Sequence, residues 1–451
     1  MKRDLTQGSI IGTMLLFAGP MILGNLLQQC YNIVDTLIVG KYLGAKALAA
    51  VGSAYTLMTF LTSIIIGLCM GSGAVFSLYF GRQQPAEMKR RMAAAFYLIA
   101  SVTLCINLLV ILFQEEILRL LQVPSDVLPQ MQAYVQIIFL GLMFTFLYNY
   151  FAFLLRALGN SVTPLWFLGA AAVMNIGLDL FFVVGLQRGI AGAAEATVLA
   201  QAFSGIGLCA YTLWREPEAA VFRFRPDRRS FQEILRFSST SCVQQSVMNL
   251  GILMIQGLVN SFGSLVMAGF AAAVKIDSFA YMPAQEFGNA YSIFISQNHG
   301  AGKHTRVRRG TKAAFLVSVS FCLAVSLLVW AFAPELMQLF ISTSSDLAAG
   351  DVIAAGSGYL RLEGAFYCGI GMLFLFYGYF RGAEQPEMSI VLTIISLGLR
   401  VVLAYWLAPK IGVTAIWAAI PIGWAAADLA GFWKLRRDWN KENSRGKREI
   451  I

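Results

Sequence analysis

LLFAGPMILGNLLQQCYNIVDTLIVG (residues 15–40) and LWFLGAAAVMNIGLDLFFVVG (residues 165–185) decide how this chain is read. Each run exceeds the roughly 20 apolar residues that carry an α-helix across a bilayer. Each also holds a lone carboxylate, Asp35 in the first and Asp179 in the second. An ionised carboxylate at membrane depth is costly unless a proton, a cation or a partner neutralises it, so both residues are functional candidates.

Runs of the same kind recur along the 451 residues, which are 58% hydrophobic and only 13% charged. Twelve spans follow, beginning near Ile10, Lys46, Arg91, Gln130, Pro164, Gly189, Ile234, Leu265, Thr311, Val352, Pro386 and Gly412. The fold class is therefore an all-α polytopic membrane protein. The basic N-terminus MKRDLTQGSIIG runs into the first span without a small-residue cleavage site and reads as a membrane helix. Seven scattered cysteines without a C-x-x-C pair point to neither a disulfide framework nor zinc. Two histidines supply no metal cluster or catalytic triad, and no nucleophile with its base is visible, so an enzyme is not expected. No GxxxxGK[ST] stretch occurs, which points to an ion gradient rather than ATP as the energy source.

The net charge of +10 reads as a topology signal and not as a nucleic-acid footprint. With the N-terminus in the cytoplasm, only Lys41, Lys46, Arg119, Arg188 and Lys410 of the 34 Lys and Arg residues fall outside, and Lys275, Arg361 and Arg400 lie within spans. Both termini are then cytoplasmic, in the cytoplasmic membrane, which is the inner membrane where a cell has two.

The halves echo each other at an offset of about 220 residues: YLGAKALAAVG recurs as SFGSLVMAGFA, pairing Gly44 with Gly263. FGRQQPAEMKRRMAAAF recurs as HGAGKHTRVRRGTKAAF, pairing Gly81 with Gly302, and GLQRGIAGAAEAT recurs as APKIGVTAIWAAI, pairing Gly189 with Gly412. Two six-helix pseudo-symmetric bundles follow: residues 1–215 as an N lobe, 216–232 as a cytoplasmic linker, 233–437 as a C lobe and 438–451 as a basic tail. Parallel repeats of this kind usually hold the substrate path of a transporter.

NIGLDLFFVVGLQRGIAGAAEATVLAQ (Asn175–Gln201), YNIVDTLIVGKYLGAKALAAVG (Tyr31–Gly52) and RALGNSVTP (Arg156–Pro164) resemble the multidrug and toxic compound extrusion (MATE) family. KIDSFAYMPAQEFGNAYSIFISQNHGAG (Lys275–Gly302) resembles its bacterial DinF-like and MepA-like members. The resemblance covers essentially the whole chain. It implies a twelve-helix exporter driven by protons or sodium ions, with the family's N-lobe cation site falling on Asp35, Asn149, Asn175, Asp179 and Thr197. The family's other site, an acidic pair on helices seven and ten, is only half present, because helix seven offers Gln244 and Gln245 and leaves Glu363 alone.

Depth arithmetic agrees for the N lobe. At about 1.5 Å per residue, Asp35 and Asp179 both lie about 10 Å below the outer surface, and Asn175 shares a helix face with Asp179. Two carboxylates at one depth would share a proton, or a sodium ion held by Asp35, Asn175 and Asp179. Pro20, lacking an N–H, is the expected hinge of the first helix. Glu363 and Glu286 are candidates for a C-lobe substrate or proton site, whereas Glu195, Asp277 and Asp428 read as acids paired internally with basic residues. The expectation is antiport of small lipophilic or cationic molecules against protons or sodium, with no bound cofactor, by a monomer in contact with membrane lipids. The alternative is a flippase or exporter of lipid or lipid-linked metabolites. A major facilitator is disfavoured because GRQQPAEMKRR stands where that class carries an acidic, glycine-rich loop.

Overall fold

A computed structural model of the chain describes residues 3–120, 127–216, 225–340 and 348–448. The expected linker falls partly outside these residues, as does the end of the basic tail. Helix α1 (Ile10–Gly44) and α2 (Lys46–Gly81) meet at Gly44, whose φ of 85° lies in the left-handed region. A Cβ at Gly44 would meet nothing within 4 Å, so glycine is required there by the backbone and not by lack of room.

The chain continues through α3 (Pro85–Leu112), the short α4 (Gln114–Leu120), α5 (Leu128–Ile138) and α6 (Gly141–Ala157). Helix α7 (Val162–Asp179) runs into a π-helical turn at Leu180–Gly185 and is followed by α8 (Gly189–Arg215). The second half comprises α9 (Arg228–Asn260), α10 (Ser264–Gly300), α11 (His304–Ala331), the short α12 (Ala333–Gln338), α13 (Ala348–Gly364), α14 (Tyr367–Gly382), α15 (Glu387–Ile411) and α16 (Val413–Arg448).

Among the described residues, ten helices are long and apolar enough to cross a membrane, and twelve spans result when each bent pair is counted as one. The bent pairs are α5 with α6, at 44°, and α13 with α14, at 54°. The sequence reads both as single runs beginning near Gln130 and Val352. Hydropathy is blind to a bend, but a glycine stands at each one, Gly141 and Gly364. Several helices also begin before their apolar runs: α3 starts at Pro85, with Pro in its first turn and Glu87 favourably placed against the helix dipole.

Left-handed residues fall at matching places in the two halves: Gly44 with Gly263, Gly159 with Glu384 and Gly189 with Gly412. The turn after α2 pairs Gln83 with Gly302 of the second half, so the expected register of Gly81 over Gly302 is two residues off. Backbone conformation, not the identity of one glycine, is what repeats.

The molecule divides into two compact units, one built from residues up to Ser246 with Ser296–His304, the other from Val247–Ile295 with residues from Thr305 onward. In the first unit, Phe76, Phe96, Phe146, Tyr150 and Phe151 form a chain of edge-on and tilted rings 5.1–6.1 Å apart. The Tyr150 hydroxyl donates to the Met92 carbonyl at 2.8 Å. Small residues let backbones touch: a Cβ on Gly71 would fall 2.3 Å from the Phe237 carbonyl oxygen, and one on Gly81 2.1 Å from that of Gln297. Close by, Arg91, 1% exposed, bonds Glu233 at 2.7 Å and Glu87 at 2.6 Å, with its guanidinium 3.8 Å from the Tyr79 ring centre.

Candidate functional site

Helix α1 carries Asp35 nine residues before the break at Gly44, and α7, packed against it, carries Asn175 and Asp179 one turn apart. Asp179 is the last residue before the helix widens into its π turn, a distortion that recurs at functional sites. Asp179 is 0% exposed and Asn175 2% exposed. The Asp35 and Asp179 carboxyls lie within hydrogen-bonding reach of each other.

Neither Asp179 oxygen has a hydrogen-bond partner among the described residues, and the same holds for Asp35 Oδ1 and for both polar atoms of the Asn175 amide. Leaving one buried polar atom unmade costs about 1–3 kcal/mol. Five such atoms on two adjacent helices are a concentrated cost, and a cation or proton would relieve it. Four of them are oxygens, Asp35 Oδ1, both of Asp179 and Asn175 Oδ1, the donor type a hard cation takes.

The other expected N-lobe residues are engaged locally. The Asn149 amide donates to the Thr145 carbonyl at 2.9 Å, and the Thr197 hydroxyl to that of Ala193 at 3.1 Å, each within its own helix. Pro20 sits inside an uninterrupted α1, and the departure from helical geometry comes at Gly44.

Tyr134 is the residue sequence reasoning missed. It is buried on α5, within electrostatic reach of Asp35, Asp179 and Tyr31. The signal was a single tyrosine in the apolar stretch ahead of the bend.

In the second unit, Glu363 closes α13 and is 3% exposed, and its neighbour is Asp277 of α10, 4% exposed. The Tyr359 hydroxyl donates to Asp277 Oδ2 at 3.4 Å. Asp277, expected to be an acid paired internally with a basic residue, has Arg400 of α15 in electrostatic range, and so has its neighbour Glu363. Glu286 lies apart on α10, accepting a bond from Asn289 at 3.3 Å. Glu195 pairs with Arg188 at 2.8 Å, as an internally paired acid should. Asp428 differs: buried on α16, it has neither oxygen bonded among the described residues. Gln244 is buried with its side-chain oxygen unpartnered, and no acid stands beside it on α9.

On the fold and these buried acids, the molecule is a polytopic membrane transporter built from two repeats. The MatE family model matches residues 20–181 and 240–406, and the chain belongs to that family. It is 32% identical over 393 residues to a probable multidrug resistance protein, YpnP, of Bacillus subtilis, covering 87% of each chain. It is 23% identical to the multidrug export protein MepA of Staphylococcus haemolyticus, over 94% of this chain and 93% of that one. A solved MOP superfamily transporter from Pyrococcus furiosus superposes with a TM-score of 0.89 at 21% identity, covering 97% and 98% of the two chains.

Proposed function

We propose that this chain exports small lipophilic or cationic molecules from the cytoplasm in exchange for an inward-moving proton or sodium ion, with Asp35, Asp179 and Asn175 as the coupling site. The observation that carries the reading is the fully buried Asp179 carboxyl within reach of the half-buried Asp35, with five polar atoms of Asp35, Asp179 and Asn175 unpartnered among the described residues. Relatives named for multidrug resistance and multidrug export support the substrate class.

With both carboxyls ionised, two unit charges about 4 Å apart repel by about 4 kcal/mol at an effective dielectric constant of 20. Binding one proton or one sodium ion removes that repulsion and the desolvation cost together. The state that holds α1 against α7 is then favoured by the ion, and a state in which the helices separate is favoured by its loss. An ion with different affinity for two states shifts their populations by that difference, which is what coupling requires. Asn149 and Thr197 act in this scheme by releasing their local bonds toward the ion, and Pro20 gives α1 a flexible point. The protein works as a monomer among membrane lipids, with both termini in the cytoplasm.

The test is export of a fluorescent lipophilic cation from cells producing the protein, before and after an ionophore collapses the proton or the sodium gradient. Loss of export with one of the two gradients supports antiport and names the ion. Export unchanged after both gradients are collapsed refutes it.

A further inference from the structure

Ahead of α1 runs a short segment, RDLTQGS (Arg3–Ser9), that is neither helix nor strand. Leu5 is 0% exposed, whereas Asp4, Gln7, Gly8 and Ser9 are exposed. The Arg3 N–H donates at 3.0 Å to the Gly159 carbonyl, in the turn between α6 and α7. Gly159 has a φ of 83°, and a Cβ there would collide with the Arg3 carbonyl oxygen, so both the backbone and the crossing segment require glycine. The Leu5 N–H donates to Gln297 Oε1 at 3.2 Å, and the Leu5 carbonyl accepts from Asn298 Nδ2 at 3.1 Å, both in the last turn of α10. Just beyond that turn, Lys303 Nζ donates to the Thr6 carbonyl at 2.8 Å and to its hydroxyl at 3.0 Å. Asp4 holds the segment's own shape, accepting from the Thr6 N–H at 2.8 Å and from Gln7 Nε2 at 2.7 Å.

Gln297 joins the two attachments. It is 0% exposed, and while its Oε1 accepts from Leu5 its Nε2 donates to the Ala157 carbonyl at the end of α6, at 2.8 Å. Lifting the segment would leave a buried amide oxygen without a donor until water reached it, so the segment and the seat of α10 on α6 stabilise each other. Yet the hold is slight: a few hydrogen bonds, one buried apolar side chain and an otherwise exposed stretch are the marks of a part that opens readily. Its position gives the opening a consequence. Ser296–His304 belongs to the first unit, whereas the rest of α10 belongs to the second. Transporters built from repeats work by one bundle moving against the other, and α10 cannot follow its own bundle while its last turn stays fastened.

We propose that Arg3–Gln7 is a releasable strap, which fastens the last turn of α10 to the α6–α7 turn in this state and must come off for the transporter to reach its other state. Gln297 carries the inner attachment and Lys303 the outer clasp. The proposal rests on the transporter class and not on the Asp35–Asp179 coupling site.

The test uses the full-length protein with Thr6→Cys and Lys303→Cys, joined by a short, membrane-permeant bis-thiosulfonate that reductant removes. Each single variant controls for the seven native cysteines. Two readouts are taken before and after cross-linking: hydrogen–deuterium exchange over Ser296–His304, which needs no substrate, and ethidium transport in proteoliposomes under combined proton and sodium gradients. The expected results are slower exchange and loss of transport on cross-linking, both reversed by reduction. Lys303→Met should speed exchange in the N-terminal peptide by about fivefold, the factor one net hydrogen bond is worth. Where the double variant fails to fold by size exclusion, this comparison carries the assignment, and equal exchange in wild type and Lys303→Met overturns the proposal. If wild type does not move ethidium, the substrate reading fails and exchange alone decides. Transport that survives cross-linking, or exchange over Ser296–His304 that cross-linking leaves unchanged, overturns the strap.

Discussion

Glu233→Gln probes the ion cluster that ties α2, α3 and the start of α9 together within the first unit. Arg91 is almost wholly buried, and its Nε donates to Glu233 at 2.7 Å while Nη1 donates to Glu87 at 2.6 Å and to the Glu87 carbonyl at 3.0 Å. Tyr79 also donates to Glu233, at 3.1 Å. Breaking a fully buried pair costs about 3–5 kcal/mol because a charge is left unpaired. Here Glu233 retains 18% exposure and Glu87, 39% exposed, still serves Arg91. Glutamine also keeps one acceptor oxygen. The loss should therefore fall to about 2 kcal/mol, near the value of one charge-assisted hydrogen bond. A double-mutant cycle with Arg91→Met, followed by thermal unfolding in detergent micelles, should return a coupling energy of about 2 kcal/mol. It should change little between low and high salt, because the guanidinium is out of solvent. A coupling below about 0.5 kcal/mol, the value of an exposed pair, would refute the reasoning.

Gly81→Ala should destabilise the fold or lower its yield more than Gly44→Ala, since the first drives a methyl into the Gln297 carbonyl and the second strains only the backbone, by about 1–3 kcal/mol; comparable melting temperatures would contradict this. Asp227 caps α9 by accepting from the Ser230 amide at 3.1 Å, and hydrogen bonds from the Ser230 side chain and backbone hold its carboxyl below the usual range. A carboxyl lowered on folding stabilises above its unfolded value and loses that contribution as pH falls through the folded one. Asp227→Ala should therefore cost about 1 kcal/mol at pH 7, and the difference from wild type should shrink as pH drops below about 4. Asp428→Leu should stabilise the protein by about 1–3 kcal/mol in the same melting assay, because it removes two unpartnered buried oxygens; a loss of stability would mean that the carboxyl has a partner.

The spans, the duplication and the candidacy of Asp35 and Asp179 were legible in the chain because hydropathy, turn glycines and the rarity of membrane carboxylates are local signals. What was not legible depends on which way a helix faces. Asp277 reads as an acid paired internally with a basic residue, but which one is not in the sequence: nearby Lys275 is partly exposed, whereas Arg400, far along the chain, is in electrostatic range of the buried Asp277. Tyr134 looks like any other aromatic in an apolar stretch, and its nearness to Asp35 and Asp179 is set by packing between helices far apart in sequence. The register of the turn after α2 was misread because Gln83 adopts the left-handed conformation that Gly302 has in the other repeat, with no glycine to announce it.

The central claim is that the Asp35–Asp179 contact couples ion entry to export. Its most direct test is substrate efflux from proteoliposomes under an imposed proton or sodium gradient, comparing wild type with Asp35→Asn and Asp179→Asn. The account predicts gradient-driven efflux by wild type and loss of that dependence in both variants, with substrate binding retained. Normal gradient-driven transport by both variants would contradict it.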